Sequence, residues 1–266
     1  MMKNKTAIII AFFLCIIFGN WHHCNSQSVS QENLRQKDIE NYLRTARVIS
    51  DIIDPQAGRT EGWIISLDDG KIARRGYFKH MNRTRPHFIP DSYKYEIAAY
   101  ELNKLLNLDI VPPLVEREIN GMKGSLQILI EDFMKESERK RRKIEPPDPI
   151  NFQNTLEEIN VFENLVYDEC FDADDTFVQK KDWKVWRIDY SEAFAPFSDK
   201  MPGCKITRCS KKLYQNLMKL EDDVIKAKLT PYLNEEELNA LLNRKKLIIE
   251  KIKQLIKERG EESVLF

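Results

Sequence analysis

A loop rich in carboxylates, followed by one further acid at the end of an apolar strand, is the part of this sequence best suited to chemistry. The stretch VYDECFDADDTF, residues 166–177, holds five aspartates or glutamates among twelve residues. The stretch WKVWRIDYSEAF, residues 183–194, reads as an apolar strand with Asp189 at its end. Carboxylate oxygens of this kind hold Mg²⁺ together with phosphate groups. One interpretation is a metal and phosphate site; the other is a solvated acidic loop beside an ordinary hairpin.

Two charged residues earlier in the chain extend this set. Lys79 ends the strand GYFK, and Glu96 lies on the following helix, in YEIAAYEL. Phosphoryl transfer from ATP uses a strand lysine that holds phosphates, a helix carboxylate that positions the lysine, and an aspartate that binds the metal. The sequence offers these parts in that order. Each residue also has a plain explanation, as a surface lysine, a solvated helix acid or a turn residue.

The elements that must position these residues follow from periodicity and turn signals. Residues 30–53 are predicted to form an amphipathic helix. A DG step between GWIISL and ARRGYFK predicts a hairpin, and an NG step joins a second one, VPPLVERE to GSLQILIED. Between the hairpins, Ser92 is suited to cap a helix that runs through YKYEIAAYELNKLLNL. Residues 27–134 are therefore predicted to form a helix and a β-rich lobe.

The second half of the chain is predicted to be mostly helical. The charge run KESERKRRKIEPPDP predicts a solvated helix and linker, assigned to residues 135–150. A helix over 152–167, a strand pair at 176–178 and 185–188, and further helices are predicted within the C-terminal lobe, residues 151–266. The last helix has a capping-box start, with Asn234 followed by Glu237.

Several stretches together resemble the atypical kinases, specifically the branch of phosphatidylinositol 3/4-kinase-like and HipA-like proteins and their uncharacterised bacterial relatives. They are YEIAAYELNKLLNLDIVPPLVERE, GSLQ, VFENLVYD, DWKVWRIDYSEAF and the closing GEESVLF, within roughly residues 34–266. The resemblance implies an α+β, two-lobed protein-kinase-like fold, with a small, mostly β N-lobe and a larger, mostly α C-lobe. It also implies ATP with Mg²⁺ or Mn²⁺ as the cofactors.

The resemblance assigns roles to particular positions. Nucleotide binding falls to Lys79 and Glu96, and metal binding to Asp175 and Asp189. The catalytic loop starts at Asp168, which matches the family pattern. The stretch GRTEG, residues 58–62, is a weaker candidate for a loop that covers phosphates.

The catalytic loop departs from the family at two positions. The family's catalytic aspartate corresponds to Cys170, and its arginine corresponds to Phe171. Its metal-binding asparagine corresponds to Asp175, which still offers an oxygen ligand. A thiol, with an ordinary pKa of about 8.5, does not simply replace a carboxylate as proton acceptor. The altered loop therefore predicts weak or altered phosphotransfer.

Charge and the N-terminus bound the choice of partners and compartment. The chain has 266 residues with 42 basic and 42 acidic side chains, so its overall charge gives no reason to expect nucleic acid as a partner. Lys3 and Lys5 precede the apolar run 7–19, which predicts a signal peptide over residues 1–26. The protein is therefore expected to be exported, either periplasmic or secreted. An uncleaved segment would instead anchor it to the membrane.

Cysteine and histidine usage adds two expectations. After the predicted cleavage, Cys170, Cys204 and Cys209 remain, and the last two are close enough in sequence to form a small disulfide loop. The four histidines are scattered, which argues against a histidine-based metal site or catalytic triad.

Three hypotheses remain open. The leading one is an exported kinase-like protein that binds nucleotide and a divalent metal between its lobes, with weak or altered phosphotransfer to an unknown protein or small molecule. The second is a pseudokinase that serves as a binding or scaffold module without chemistry. The third is a secreted phosphotransferase acting on protein or sugar in a compartment that contains ATP.

Overall fold

The structure, a computed structural model, describes residues 36–49, 62–83 and 89–266. The predicted signal peptide lies outside the described residues. So does the candidate phosphate-covering stretch 58–62, apart from Gly62. Among the described residues, no helix is both long enough and apolar enough to cross a membrane.

The first half of the described chain forms a small lobe around a five-stranded antiparallel sheet. Its elements are α1 (Gln36–Thr45), β1 (Arg47–Val48), β2 (Gly62–Asp68), β3 (Ala73–Lys79), β4 (Asn82–Arg83), β5 (Asp91–Ser92), α2 (Tyr93–Leu105), β6 (Leu114–Ile119) and β7 (Met122–Ile128). The sheet has the strand order β1-β2-β3-β7-β6, while β4 and β5 form a separate pair. The N-terminal lobe is therefore mostly β, as the sequence predicted.

Both predicted hairpins form, because their turn residues accept left-handed backbone conformations. At the tip of the second hairpin Asn120 and Gly121 have φ of 52° and 77°, as a two-residue type I′ turn requires. In the first hairpin Gly70 has φ of 86°, and Asp68 pairs with Ala73 across the turn. This register makes Lys79 the last residue of β3, opposite Ser125 of β7.

The N-terminal helix ends earlier than predicted. Helix α1 ends at Thr45, and Val48 then pairs with Leu67 at the edge of the sheet. The prediction of one helix over residues 30–53 is therefore wrong for residues 46–49, while residues 30–35 and 50–53 lie outside the described residues. The apolar residue Val48 fitted a helical period, but it serves as an edge-strand residue. The Arg117 side chain of β6 fixes the end of α1, because its guanidinium donates to the carbonyl of Leu43 at 2.7 Å.

Helix α2 lies between the sheet and the helical lobe. The Ser92 side chain caps its start by accepting a hydrogen bond from the Lys94 backbone at 3.2 Å, as predicted. The helix packs on β6 and β7 on one side and on a C-terminal helix, Asp222–Leu229, on the other. Because both sides are covered, most of its residues are buried, including the charged residue Glu96.

The second half of the chain forms the helical lobe. Its elements are β8 (Phe133–Lys135), α3 (Glu136–Arg142), α4 (Pro149–Val166), β9 (Thr176–Gln179), β10 (Val185–Arg187), α5 (Lys211–Lys219), α6 (Asp222–Leu229), α7 (Glu235–Arg259) and α8 (Glu261–Val264). Strands β10, β9 and β8 form a small antiparallel sheet in that order. The predicted capping box at Asn234 and Glu237 is present at the start of α7.

Two buried apolar clusters underlie the two lobes. The smaller cluster covers the inner face of the five-stranded sheet and includes Leu67, Phe78 and Leu126. The larger cluster joins α2 to the C-terminal helices, with Phe162 and Ile248 at its centre. The predicted two-lobed α+β fold is confirmed, and the site residues come from the elements that meet between these clusters.

Candidate nucleotide and metal site

A buried lysine joined to two carboxylates forms the centre of the site. The Lys79 ammonium donates to Oδ1 of Asp189 at 2.6 Å and to Oε1 of Glu96 in a short hydrogen bond. The side chains of Lys79 and Glu96 are 8% and 3% exposed, while that of Asp189 is 34% exposed. The three residues, which come from β3, α2 and the turn after β10, are therefore brought together in one place.

The charges of this group stabilise one another. Burial by itself lowers the pKa of Lys79, but the carboxylates of Asp189 and Glu96 outweigh it and hold that pKa above its ordinary value. Burial raises the pKa of Asp189, yet the charge of Lys79 is stronger and brings it down to about 2. Burial also raises the pKa of Glu96, with Lys79 opposing the rise. Lys79 and Asp189 are thus both charged at neutral pH.

The backbone at Asp189 helps to aim its carboxylate. Asp189 has a φ of 62°, in the left-handed region that aspartate tolerates better than most side chains do. The Ser191 hydroxyl donates to Oδ1 of Asp189 at 3.1 Å. The backbone N–H of Ser92, which precedes α2, donates to the Ser191 carbonyl at 2.8 Å. The turn after β10 is therefore tied directly to the start of the helix that carries Glu96.

A cavity of about 550 Å³ opens beside this group, a size ordinary for small-molecule sites. Its lining includes the charged group Lys79, Glu96 and Asp189 and the aromatic pair Phe133 and Phe177, which stack with ring centroids 3.9 Å apart. The cavity is lined in addition by Ile64, Arg75, Leu114, Gln127, Leu129, Ile130, Glu131, Asp132 and Ile188. Aromatic and aliphatic side chains beside a fixed cation suit a flat base with attached phosphates.

The predicted metal ligands Asp175 and Asp189 line the same cavity. Burial and the charge of Asp189 raise the pKa of Asp175 to about 6. Among the described residues, no group of three or more His, Cys, Asp or Glu side chains is arranged to hold a metal. A kinase-type Mg²⁺ needs fewer, because one or two carboxylates hold it together with substrate phosphates and water. Two carboxylates that repel each other in one cavity fit that requirement.

A buried arginine that sequence reasoning missed holds the acidic loop. Arg187 of β10 is 1% exposed, donates from Nε to Glu163 at 2.8 Å, and donates from Nη2 to Asp168 at 2.9 Å. Its Nη1 lies 3.7 Å from Asp175. The family's arginine position in the loop, Phe171, is instead 43% exposed. The arginine is therefore supplied from the neighbouring strand.

A sequence signal for Arg187 does exist. It lies between Trp186 and Ile188 in the predicted apolar strand, and a charged residue on a buried strand needs a charged partner. Burial raises the pKa of both Asp168 and Glu163 to about 7, although the charge of Arg187 lowers both. One guanidinium does not neutralise three carboxylates, so this network favours the binding of a proton.

The predicted base position, Cys170, is not a free thiol. Cys170 forms a disulfide with Cys204, and their Cα atoms are 5.7 Å apart. Cys204 therefore does not pair with Cys209, a disulfide that the sequence had left open. Cys209 is buried and free, its backbone bonded to Val264, and burial raises its thiol pKa to about 12. Sequence spacing favoured the nearer cysteine, but the fold brings the loop after α4 against the segment that follows β10.

A second cavity, here called the acceptor-side cavity, adjoins the first. It has a volume of about 450 Å³. Asp175, Asp189 and Tyr77 line both cavities. The acceptor-side cavity is lined further by Ile89, Lys135, Tyr167, Asp168, Glu169, Asp172, Arg187, Ser191, Glu192 and Met201. Asp168 thus lines the acceptor-side cavity, whereas Asp175 and Asp189 line both cavities.

Comparison with known proteins extends to structure only. No protein-family model and no curated protein matches the sequence. The crystal structure of the Helicobacter pylori proinflammatory kinase CtkA is similar over 83% of this chain and 98% of that one, with a TM-score of 0.51 and 12% identity. The FAT and kinase domain of CtTel1 is similar over 78% of this chain and 22% of that one, with a TM-score of 0.42 and 11% identity. The chain therefore has a kinase fold, with a small β lobe and a helical lobe.

Proposed function

We propose that this protein is an exported kinase-like protein that binds ATP with Mg²⁺ or Mn²⁺ between its lobes and has weak or altered phosphotransferase activity. The observation that carries the proposal is the contact of the Lys79 ammonium with both Glu96 and Asp189. Active kinases require this lysine–glutamate pair beside a metal-binding aspartate. Here all three are buried or half-buried in the wall of one cavity.

The mixed lining of the cavity supports nucleotide as its ligand. The rings of Phe133 and Phe177 suit the base, and the Lys79 ammonium suits the phosphates. Asp175 and Asp189 would hold the metal ion, which supplies charge neutralisation for the phosphates when bound. Glu96 keeps Lys79 charged and in place, since a flexible lysine would lose its geometry without a second partner.

The proton acceptor of this chain cannot be Cys170 while its sulfur is in a disulfide. Asp168 is the residue best suited to take that role. It lines the acceptor-side cavity, and Arg187 holds its Oδ2 at 2.9 Å. A carboxylate with a pKa near neutrality accepts a proton efficiently at neutral pH, and burial raises that of Asp168 to about 7. Asp172, which lines the same cavity, is the alternative.

The second candidate function is that of a pseudokinase, a binding or scaffold module that performs no chemistry. The observation that favours it is the disulfide at Cys170, which occupies the position of the family's catalytic aspartate. Both candidates use the same nucleotide cavity. They differ in turnover, not in binding.

Export is part of the proposal and has two supports. One is the charged and apolar N-terminal sequence, residues 1–26. The other is the Cys170–Cys204 disulfide, a bond that persists in oxidising compartments and is rare in reducing ones. The intact mass of the protein from its native host decides the matter. A mass that includes residues 1–26 would mean an uncleaved anchor.

A thermal-shift titration of the mature chain tests the nucleotide proposal. A ligand present at 100 times its dissociation constant stabilises the folded state by about 2.7 kcal/mol. We expect Mg-ATP or Mn-ATP to raise the melting temperature, and metal or ATP alone to raise it less. No shift with either complex at millimolar concentration would reject nucleotide binding. Nucleotide hydrolysis and autophosphorylation assays then separate the enzyme from the pseudokinase.

A further inference from the structure

The Cys170–Cys204 disulfide joins two segments that both contribute to the lining of the acceptor-side cavity. Cys170 belongs to the loop after α4, which contributes Asp168 and Asp172. Cys204 belongs to the segment after β10, which contributes Met201. The two cysteines are 34 residues apart in sequence, and β9, β10 and Asp189 lie between them. The bond thus connects Met201's segment covalently to the acidic loop.

The loop side of the disulfide is held by several other interactions. The backbone N–H of Asp168 donates to the carbonyl of Glu163 at 3.0 Å, and that of Phe171 donates to Oε2 of Glu163 at 2.9 Å. Arg187 pairs with Asp168 and with Glu163 from the neighbouring strand. The loop therefore keeps its position when the disulfide is absent.

The segment side is held far less firmly. Residues 196–205 form no helix or strand, and most are exposed. Asn243 donates to the Ser198 carbonyl and Asn160 donates to the Lys205 carbonyl, each at 3.0 Å. Arg244 also donates to the Phe197 carbonyl, and the rings of Phe197 and Tyr167 are in contact. Between Ser198 and Lys205, and within the described part of the chain, the disulfide is the one bond that connects the segment to another element. The remaining hydrogen bond, from Cys204 to Met201, is internal to the segment.

We propose that the Cys170–Cys204 disulfide is a positioning element: it holds residues 199–204 beside the acceptor-side cavity, so that Met201 lines this cavity only in the oxidised protein. The assignment of the cavity to a phosphate acceptor rests on the proposed function. The disulfide leaves the nucleotide side unaffected. Lys79, Glu96 and Asp189 are anchored by β3, α2 and the turn after β10, none of which depends on the segment.

Reduction and substitution remove the bond in different ways. Dithiothreitol reduces it, because the two sulfur atoms accept two electrons and two protons while the reagent becomes a cyclic disulfide. The variant Cys204→Ser removes the bond permanently. Cys209→Ala is the matched control, since Cys209 is a free cysteine five positions away on the same stretch. Loss of a disulfide also lowers global stability through the unfolded chain, so regions of one protein must be compared with one another.

The first measurement is hydrogen–deuterium exchange of the oxidised full-length chain, the reduced chain and both variants. We expect amides of residues 196–205 to exchange about tenfold faster or more after reduction and in Cys204→Ser. Amides of β3, α2 and residues 163–172 that exchange by local fluctuation should keep their rates, and Cys209→Ala should match the wild type. Equal exchange in residues 196–205 with and without the disulfide would overturn the proposal. So would an increase that extends equally to β3 and α2.

The second measurement is the thermal shift produced by Mg-ATP. We expect Cys204→Ser to retain the wild-type shift, because nucleotide binding does not use the segment. Loss of the shift in Cys204→Ser alone would contradict a role confined to the acceptor side. Absence of a shift in the wild type as well would reject the proposed function, while the exchange data would still decide whether the disulfide positions residues 199–204. Intact mass after alkylation verifies the bond, and two additional free thiols in the oxidised protein would overturn it.

Discussion

Arg187 and Glu163 form a fully buried ion pair, with Nε of the arginine 2.8 Å from Oε1 of the glutamate and exposed fractions of 1% and 0%. The pair connects β10, which leads into Asp189, with α4, which leads into the acidic loop. The same guanidinium pairs with Asp168. The two halves of the candidate site therefore depend on one side chain for their relative positions.

Replacing Arg187 should strongly lower the unfolding free energy. In Arg187→Met the Glu163 carboxylate remains buried without its partner, and breaking a buried pair in this way costs about 3–5 kcal/mol of unfolding free energy. Arg142→Met is the control, because its pair with Glu138 is exposed and its loss should barely change the unfolding free energy. Urea denaturation of both variants measures the difference. Similar small losses in the two would mean that Arg187 does not hold the network.

Removing the site lysine should abolish nucleotide binding. In Lys79→Met the phosphates lose their cation, and Asp189 and Glu96 lose the charge between them. We expect the thermal shift by Mg-ATP to disappear. Lys71→Met, in the exposed turn between β2 and β3, should retain the wild-type shift. A thermal shift in Lys79→Met as large as in the wild type would contradict the role of Lys79 in nucleotide binding, on which the proposed function depends.

The same substitution should alter stability at acid pH. The folded-state pKa of Asp189 is about 2, below the ordinary value of 3.8, chiefly because Lys79 overcomes the effect of burial. A lowered carboxyl pKa gives stability that is present above pH 4 and is lost as pH falls toward 2. Lys79→Met removes the cause, so its unfolding free energy should fall less over that range. Urea titrations at about pH 4.5 and about pH 2.5 provide the test.

The sequence could predict those site residues whose strand or helix is marked by a nearby turn or capping residue. Lys79 ends a strand set by a DG turn, and Glu96 follows a capped helix start, so their elements were predictable. The Cys170–Cys204 bond and the role of Arg187 depend instead on which loops the fold brings together. Neither sequence distance nor periodicity contains that information. The nearer cysteine pair looked favourable because proximity in sequence is the only proximity that a sequence displays.

The acidic network around Arg187 should give an unusual pH dependence near neutrality. Burial raises the pKa of both Glu163 and Asp168 to about 7, so the folded state binds more protons than the unfolded chain above about pH 4. This contribution to stability is complete below the unfolded pKa values and is lost as pH rises through 7. Without metal ions, we expect a higher melting temperature at about pH 5.5 than at about pH 8.

Asp168→Asn tests this assignment. The amide keeps a hydrogen-bond acceptor for Arg187 but does not titrate, so the decrease in melting temperature between the two pH values should become smaller. Asp223→Asn, an exposed change on α6, should leave the decrease as it is in the wild type. An unchanged pH dependence in Asp168→Asn would show that other groups bind the proton.

An aspartate at position 170, where the kinases that the sequence resembles have their catalytic aspartate, should raise phosphotransfer. We expect Cys170→Asp, combined with Cys204→Ser to avoid a free thiol, to exceed Cys204→Ser alone, since both lack the disulfide. General-base assistance contributes about 10²–10⁴-fold, which bounds the gain. Asp175→Asn should give no such gain, because an oxygen ligand is already present there. The assays are nucleotide hydrolysis and autophosphorylation with Mg²⁺ and with Mn²⁺. Brisk turnover in the wild type, or a double variant no faster than Cys204→Ser, would contradict this prediction and leave the proton transfer with Asp168 or Asp172 alone.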